Sequence, residues 1–190
     1  PHHRSTVTEP WDWTPIQVYS WKLWYPDRTL IIDTAMNREI AKPEALVPMY
    51  DDIAYQHMDA AMEKASQIVI THEHMDHIGG LAAHPHLAML LPALRLTDEQ
   101  LANPKGMEPA VLPAAVMKNY QPITYDNMLA IAPGVVLVKS PGHQPARQMV
   151  SVERPAGRGL LFLGGVGCTK RKTEAVREGA RCSALVGGVG

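Results

Sequence analysis

The sequence predicts an α/β fold, and three features carry that reading. The apolar residues, 46% of 190, include ten Met and a single Phe, so the core rests on Ala, Val, Ile, Leu and Met rather than on aromatic rings. Short β-branched or alternating runs bounded by Pro, Gly and Asp recur along the chain. One long segment instead spaces its small and apolar residues at helical intervals. The length suits one domain, 1–190, with 1–15 read as a flexible or peripheral N-terminal segment.

Ile16-Gln17-Val18-Tyr19 alternates, Pro26-Asp27 makes a turn, and Leu30-Ile31-Ile32 is an apolar run that ends at Asp33, which together predict a hairpin or meander. From Asp51 to Gln67, Ala54, Met58, Ala61, Met62 and Ala65 define a surface helix, with Asp51 or Asp52 as its N-cap. Ile68-Val69-Ile70 reads as a buried strand. A short helical stretch follows Gly79-Gly80 to about Ala83 and is stopped by Pro85, and Leu87 to Leu91 reads as a further strand. Thr97 to Gln100 fits a capping box. Asn103 to Gln121 reads as a Pro-rich excursion with one helical turn after Pro113, an insert that could cover a site. Four strands are expected over Met128 to Ala132, Val135 to Lys139, Gln148 to Val152 and Leu160 to Leu163. Thr173 to Ala180 looks helical, and Ser183 to Gly190 fades into glycine.

Composition also excludes. A net charge of -1 with no basic groove argues against nucleic acid as a partner. No stretch approaches the ~20 apolar residues of a membrane span, and no signal-peptide core opens the chain. Two cysteines make no disulfide framework, so a reduced, cytoplasmic setting is expected. There is no nucleophile elbow, no phosphate-binding Gly-rich loop and no dinucleotide fingerprint. A small-molecule substrate remains as the expected partner, and a homodimer is compatible with the sequence.

The chemistry concentrates in Thr71-His72-Glu73-His74-Met75-Asp76-His77-Ile78-Gly79-Gly80, which follows the buried strand directly. His72 and His74, two apart on extended backbone, project to one side, and the following turn returns Asp76 and His77 toward the same point. Imidazole nitrogen and carboxylate oxygen are ligands for Zn²⁺ and related ions. The bland alternative is a solvated His-rich loop.

This segment resembles the His-x-His-x-Asp-His signature of the metallo-β-lactamase superfamily. Leu30 to Thr34 resembles that family's strand ending in an aspartate, Ser140-Pro141-Gly142-His143 its later histidine segment, and Leu161 to Gly164 the strand before its bridging aspartate. The resemblance implies an αββα sandwich of two mixed β-sheets flanked by helices, shortened at the C-terminus. It implies His72, His74 and His143 as ligands of a first metal, Asp76 and His77 as catalytic residues that begin a second site, and Asp33 as a support that orients the metal loop. Zinc is the implied ion, one or two per chain, with iron or manganese as alternatives. A metal-activated water would then cleave a small ester, lactone, thioester, amide or phosphoester.

Two departures accompany the matches. Gly165 stands where the family usually carries its bridging aspartate, and no histidine follows His143, so a single metal is expected here. The alternative from a different class is a degenerate, non-catalytic member that binds metal or ligand. Cys168 offers a replacement thiolate ligand, with a small buried hydrophobe as the commoner reading. His57, His84 and His86 read as helix-end or surface residues, and His2 and His3 as terminal. Trp11, Trp13, Tyr19, Trp21, Trp24 and Tyr25 either pack the first strands or line an entrance, and Met107, Met117 and Tyr120 either pack or form a lid. Lys170-Arg171-Lys172 with Arg177 and Arg181, interrupted by Glu174 and Glu178, reads as a solvated helix face.

Overall fold

A computed structural model describes residues 2–3, 14–15, 18–142, 144–154 and 158–164, with backbone alone at 2, 3, 14, 15 and 158. Two-residue strands β1 (His2–His3) and β2 (Thr14–Pro15) pair antiparallel. The predicted hairpin forms from β3 (Trp21–Trp24) and β4 (Thr29–Ile32), paired Trp21 to Ile32 across the Pro26-Asp27 bend. Val18 and Tyr19 are not strand, and Ile16 and Gln17 lie outside the described residues. The chain then crosses through α1 (Arg38–Ala41) and α2 (Asp52–Met62) to β5 (Gln67–Val69), which pairs parallel to β4.

Asp51 is the α2 cap and accepts from the Ile53 and Ala54 amides, both at 3.0 Å. The helix stops at Met62, short of the expected Gln67. The residues that follow return toward the sheet, and the Ser66 N–H donates to the Thr29 carbonyl.

After β5 come α3 (Met75–Ala82), α4 (Leu87–Leu90), α5 (Asp98–Leu101), α6 (Pro104–Met107) and α7 (Ala114–Met117). Leu87 to Leu91 is thus helical and not the expected strand. A five-residue apolar run has no period of its own, and here Leu87 and Leu90, one helical turn apart, both bury against the helix layer. The capping box at Thr97 and Gln100 forms as expected. The Pro-rich excursion holds two helical turns, α6 and α7. Its Met107 is fully buried in the core, with Met117 and Tyr120 packed against that core, so these residues are structural and not a lid.

The second sheet is a meander of β6 (Met128–Ala132), β7 (Val135–Lys139), β8 (Gln148–Arg154) and β9 (Arg158–Phe162). It is antiparallel among all its described strands, where a mixed sheet was expected, each strand pairing with its neighbour in sequence. The helix expected over Thr173 to Ala180 lies outside the described residues.

The strand pleat explains the layers. Ile31, Ile68 and Ile70 join the cluster under the helices, whereas Leu30, Ile32 and Val69 join the cluster between the two sheets. The first sheet is therefore buried on both faces, each such side chain contributing about 1.5–3 kcal/mol. Trp21 and Tyr25 pack into the inter-sheet cluster, Trp21 against Phe162 at 5.3 Å between ring centroids. Trp24 is 80% exposed and Tyr19 half exposed, while Trp11 and Trp13 lie outside the described residues. Among the described residues no helix is long and apolar enough to cross a membrane.

Candidate metal centre

Parallel pairing brings the C-terminal ends of β4 and β5 to one edge, in the register Ile32 to Val69, so Asp33 lies beside the chain entering Thr71. The Asp33 carboxylate accepts from the Thr71 N–H at 2.7 Å and from the Thr71 hydroxyl at 2.8 Å, and His77 Nδ1 lies 2.8 Å from its Oδ2. Asp33 holds this position at φ 60°, a conformation that Asp tolerates better than most residues, and is 4% exposed.

The motif continues straight into α3, which begins at Met75, ahead of the helical stretch expected after Gly79-Gly80. His74 is its N-cap without a side-chain capping bond, so nothing in the sequence announced the start. The Thr34 N–H and hydroxyl both donate to the His77 carbonyl, at 2.7 and 3.0 Å. The Gly80 N–H donates to the Ala35 carbonyl at 2.9 Å and the Leu81 N–H to the Thr34 hydroxyl at 3.0 Å. The first sheet's edge is thereby sewn to the helix that carries Asp76 and His77.

The second sheet reaches the same corner. The Gln148 N–H, at the start of β8, donates to the Thr71 carbonyl at 2.8 Å. Gly164, just past β9, has φ 50°, and a side chain there would stand 2.6 Å from Thr71 Cβ. The β7–β8 loop is closed by Arg147, whose guanidinium donates to the Ser140 carbonyl and hydroxyl at 2.5 and 2.6 Å.

The structure brings His72, His74 and His77 together, with ring centroids 4.8 Å apart for His72 and His74 and 4.0 Å for His72 and His77. His72 is fully buried and His74 and His77 are partly buried. Asp76 Oδ2 lies 3.7 Å from His77 Nε2. His143, Gly165 and Cys168 lie outside the described residues. Of the two readings of His84, the helix-end one fits: it lies just past the end of α3, is 4% exposed, and its Nδ1 accepts from the His86 N–H at 3.1 Å.

The donor set suits a borderline divalent ion. His72 Nε2 and His74 Nδ1 stand 3.1 Å apart. Two ligands on a tetrahedral zinc with bonds of 2.0–2.1 Å would be roughly 3.3 Å apart. Among the described residues no group of three or more His, Cys, Asp or Glu side chains is arranged to hold a metal ion, so these two nitrogens are a half-site.

Sequence reasoning missed Thr71, Glu73, Asn103 and Gln144. Glu73 is fully buried, and its Oε1 accepts from Asn103 Nδ2 at 2.6 Å. Gln144 Nε2 meets His74 Nε2. A buried acid between two histidines, and an Asn placed before Pro104, were the available signals.

Burial pulls the His77 imidazole down, while the charge and hydrogen bond of Asp33, helped by Asp76, pull it up. The carboxylates win, and its pKa stands above the ordinary histidine value. A protonated ring therefore stabilises the metal-free fold, fully below the unfolded value near ~6.5 and decreasingly as pH rises through the folded value. In chelator, the melting-temperature advantage of wild type over His77→Gln should shrink from pH ~6 to ~9. A constant difference across that range refutes this account.

A family model described as the metallo-beta-lactamase superfamily matches residues 13–164. Among solved structures the chain is similar to an N-acyl homoserine lactone hydrolase with the product N-hexanoyl-L-homoserine at its catalytic metal center. That likeness is 17% identical with a TM-score of 0.59, over 90% of this chain and 81% of that one. A probable metal-dependent hydrolase from Staphylococcus aureus is 14% identical with a TM-score of 0.63, over 84% of this chain and 62% of that one. A dizinc quorum-quenching lactonase in complex with a product is 13% identical with a TM-score of 0.54, over 78% of this chain and 56% of that one. These are likenesses of fold. Comparison with curated proteins finds no match.

Proposed function

The chain belongs to the metallo-β-lactamase superfamily, and on that premise we propose that it is a metal-dependent hydrolase of a small acyl substrate, with lactones the first class to test. One observation carries the reading. The His72 and His74 nitrogens are held at ligand spacing on a corner fastened by Asp33. Lactones lead because two of the similar folds hold a lactone hydrolysis product or are described as lactonases.

His72 and His74, with His143 as the third ligand the sequence suggests, would hold zinc, and His77 and Asp76 stand beside them. When bound, the metal supplies Lewis acidity toward the substrate carbonyl and lowers the pKa of water. Asp33 keeps the Thr71 and His77 donors in place, so little reorganisation is left to the reaction itself. Asp76, 23% exposed at its side chain, would take up a proton from water and release it to solvent.

The test is metal content of tag-free protein after zinc loading, paired with hydrolysis of N-acyl homoserine lactones. We expect one zinc per chain, lost in His72→Ala and His74→Ala, with lactone opening reduced at least ~10³-fold in both variants. Two zinc ions would mean that residues outside the described set complete a second site. Zinc-loaded protein inert on lactones, esters, thioesters and amides would favour the non-catalytic member that Gly165 suggests. A chain that takes up no zinc refutes the proposal.

A further inference from the structure

We propose that Gln144 is a positioning residue whose side-chain amide decides which ring nitrogen of His74 carries the proton, under the control of Asn103 and Glu73. The inference rests on the functional reading above only for its consequence toward zinc.

The argument follows hydrogen-bond directions. Asn103 caps α6, and its Oδ1 accepts from the Gly106 N–H at 3.3 Å, so its amide nitrogen must face the other way. There Nδ2 donates to Glu73 Oε1 at 2.6 Å and also lies 3.4 Å from Gln144 Oε1. A carboxylate only accepts, which confirms the Asn103 orientation and makes Gln144 Oε1 an acceptor in turn. Gln144 then has only N–H groups to offer at its other end, which meets His74 Nε2. The His74 proton is thereby driven to Nδ1.

The same count from the opposite end gives the same answer. The Thr71 hydroxyl spends its proton on Asp33 at 2.8 Å, so it accepts from His72 Nδ1 at 3.2 Å. His72 Nε2 is then a lone pair, and the Nδ1–H of His74 donates to it across 3.1 Å. Among the described residues, donors run one way from Gly106 to Asp33.

In this state the His74 nitrogen that faces His72 carries a proton where a metal needs a lone pair. Zinc capture requires the proton to move to Nε2 and the Gln144 amide to turn so that its oxygen accepts. The turn gives up the Asn103 contact. Glu73 and Asn103 thus hold the resting tautomer, and Gln144 is the group that must yield. Glu73 Oε1 accepts from the Asn103 amide, while its Oε2 is buried with no hydrogen-bond partner among the described residues.

The experiment is long-range ¹H–¹⁵N spectroscopy of histidine-labelled, metal-free protein at a pH where His74 is neutral, followed by zinc competition against a chelator. Wild type should show His74 protonated at Nδ1. Gln144→Glu, which can only accept, should show it at Nε2 and bind zinc ~10-fold tighter or more. Gln144→Leu should weaken the Nδ1 preference to what the His72 contact alone sustains, and Asn103→Asp, which removes the donor to Gln144, should shift His74 toward Nε2 while remaining able to cap α6. A purely structural role for Gln144 predicts weaker zinc binding in every variant with the His74 pattern unmoved. That result, or an Nε2–H ring in metal-free wild type, overturns the inference. Absence of zinc binding in wild type overturns the functional proposal instead, and the tautomer pattern still judges Gln144.

Discussion

Gly80→Ala is expected to destabilise the protein by roughly 4 kcal/mol or more, a large share of the 5–15 kcal/mol that holds an ordinary domain together. A methyl group on Gly80 would lie 2.0 Å from the Thr34 carbonyl oxygen and 2.9 Å from Met58 Cε. The methionine can swing away. The carbonyl cannot, because it belongs to the segment that sews β4 to α3: the Thr34 N–H and hydroxyl donate to the His77 carbonyl, and Ala35 accepts from Gly80 itself. Relief requires the helix to lift from the sheet, which would open the helix-side core around Ile78 and Leu81, both fully buried. The same displacement would carry Asp76 and His77 away from Asp33, so metal binding should fall along with stability. Gly159→Ala is the control, since its nearest contact would be an ordinary 3.8 Å from the Val152 oxygen. Thermal melts by circular dichroism decide the matter: Gly80→Ala melting within ~2 °C of wild type defeats this account.

Gly80 also shows where the sequence stops being legible. Strands β4 and β5 could be read because Leu30-Ile31-Ile32 and Ile68-Val69-Ile70 bury both faces, and such runs leave little other choice. The α2 and α5 caps could be read because Asp51 and Thr97 act on amides two or three residues away. The candidate site differs in kind. His72, His74, Asp76 and His77 stood out by residue type, but what fixes them comes from far along the chain. Asp33 reaches Thr71 across 38 positions, Asn103 reaches Glu73 across 30, and Gln144 reaches His74 across 70. No periodicity encodes such contacts. The same limit explains Leu87 to Leu91, where a short apolar run satisfies a strand or a helical turn equally until its neighbours choose. It also explains why Gly79-Gly80 looked like a boundary before a helix when it is the place where that helix touches the sheet's edge.

Asp33 offers the sharpest separation of fold from function at this site, because two substitutions there should part company. Asp33→Ala removes the acceptor of the Thr71 N–H and of His77 Nδ1 and leaves both donors largely buried, at ~1–3 kcal/mol each. It also places alanine at φ 60°, which costs roughly 1–2 kcal/mol more, so a loss of about 3–6 kcal/mol is expected. Asp33→Asn keeps a residue that tolerates this backbone and keeps Oδ1 for the Thr71 amide, so its stability cost should be about 1–3 kcal/mol. Yet the new amide nitrogen stands where Oδ2 now faces His77 Nδ1 at 2.8 Å. Two N–H groups cannot share that contact. His77 must present its Nδ1 lone pair and carry its proton on Nε2, the nitrogen that faces Asp76. The lost negative charge also lets burial dominate, so the His77 pKa should fall from its raised position. Zinc affinity should then drop roughly 10- to 100-fold in a variant that remains folded. Calorimetric melts, histidine ¹⁵N spectra and chelator competition on the two variants read these effects separately. An Asp33→Asn protein with wild-type zinc affinity and an unchanged His77 ring would show that the carboxylate only supports the corner and does not tune the metal loop.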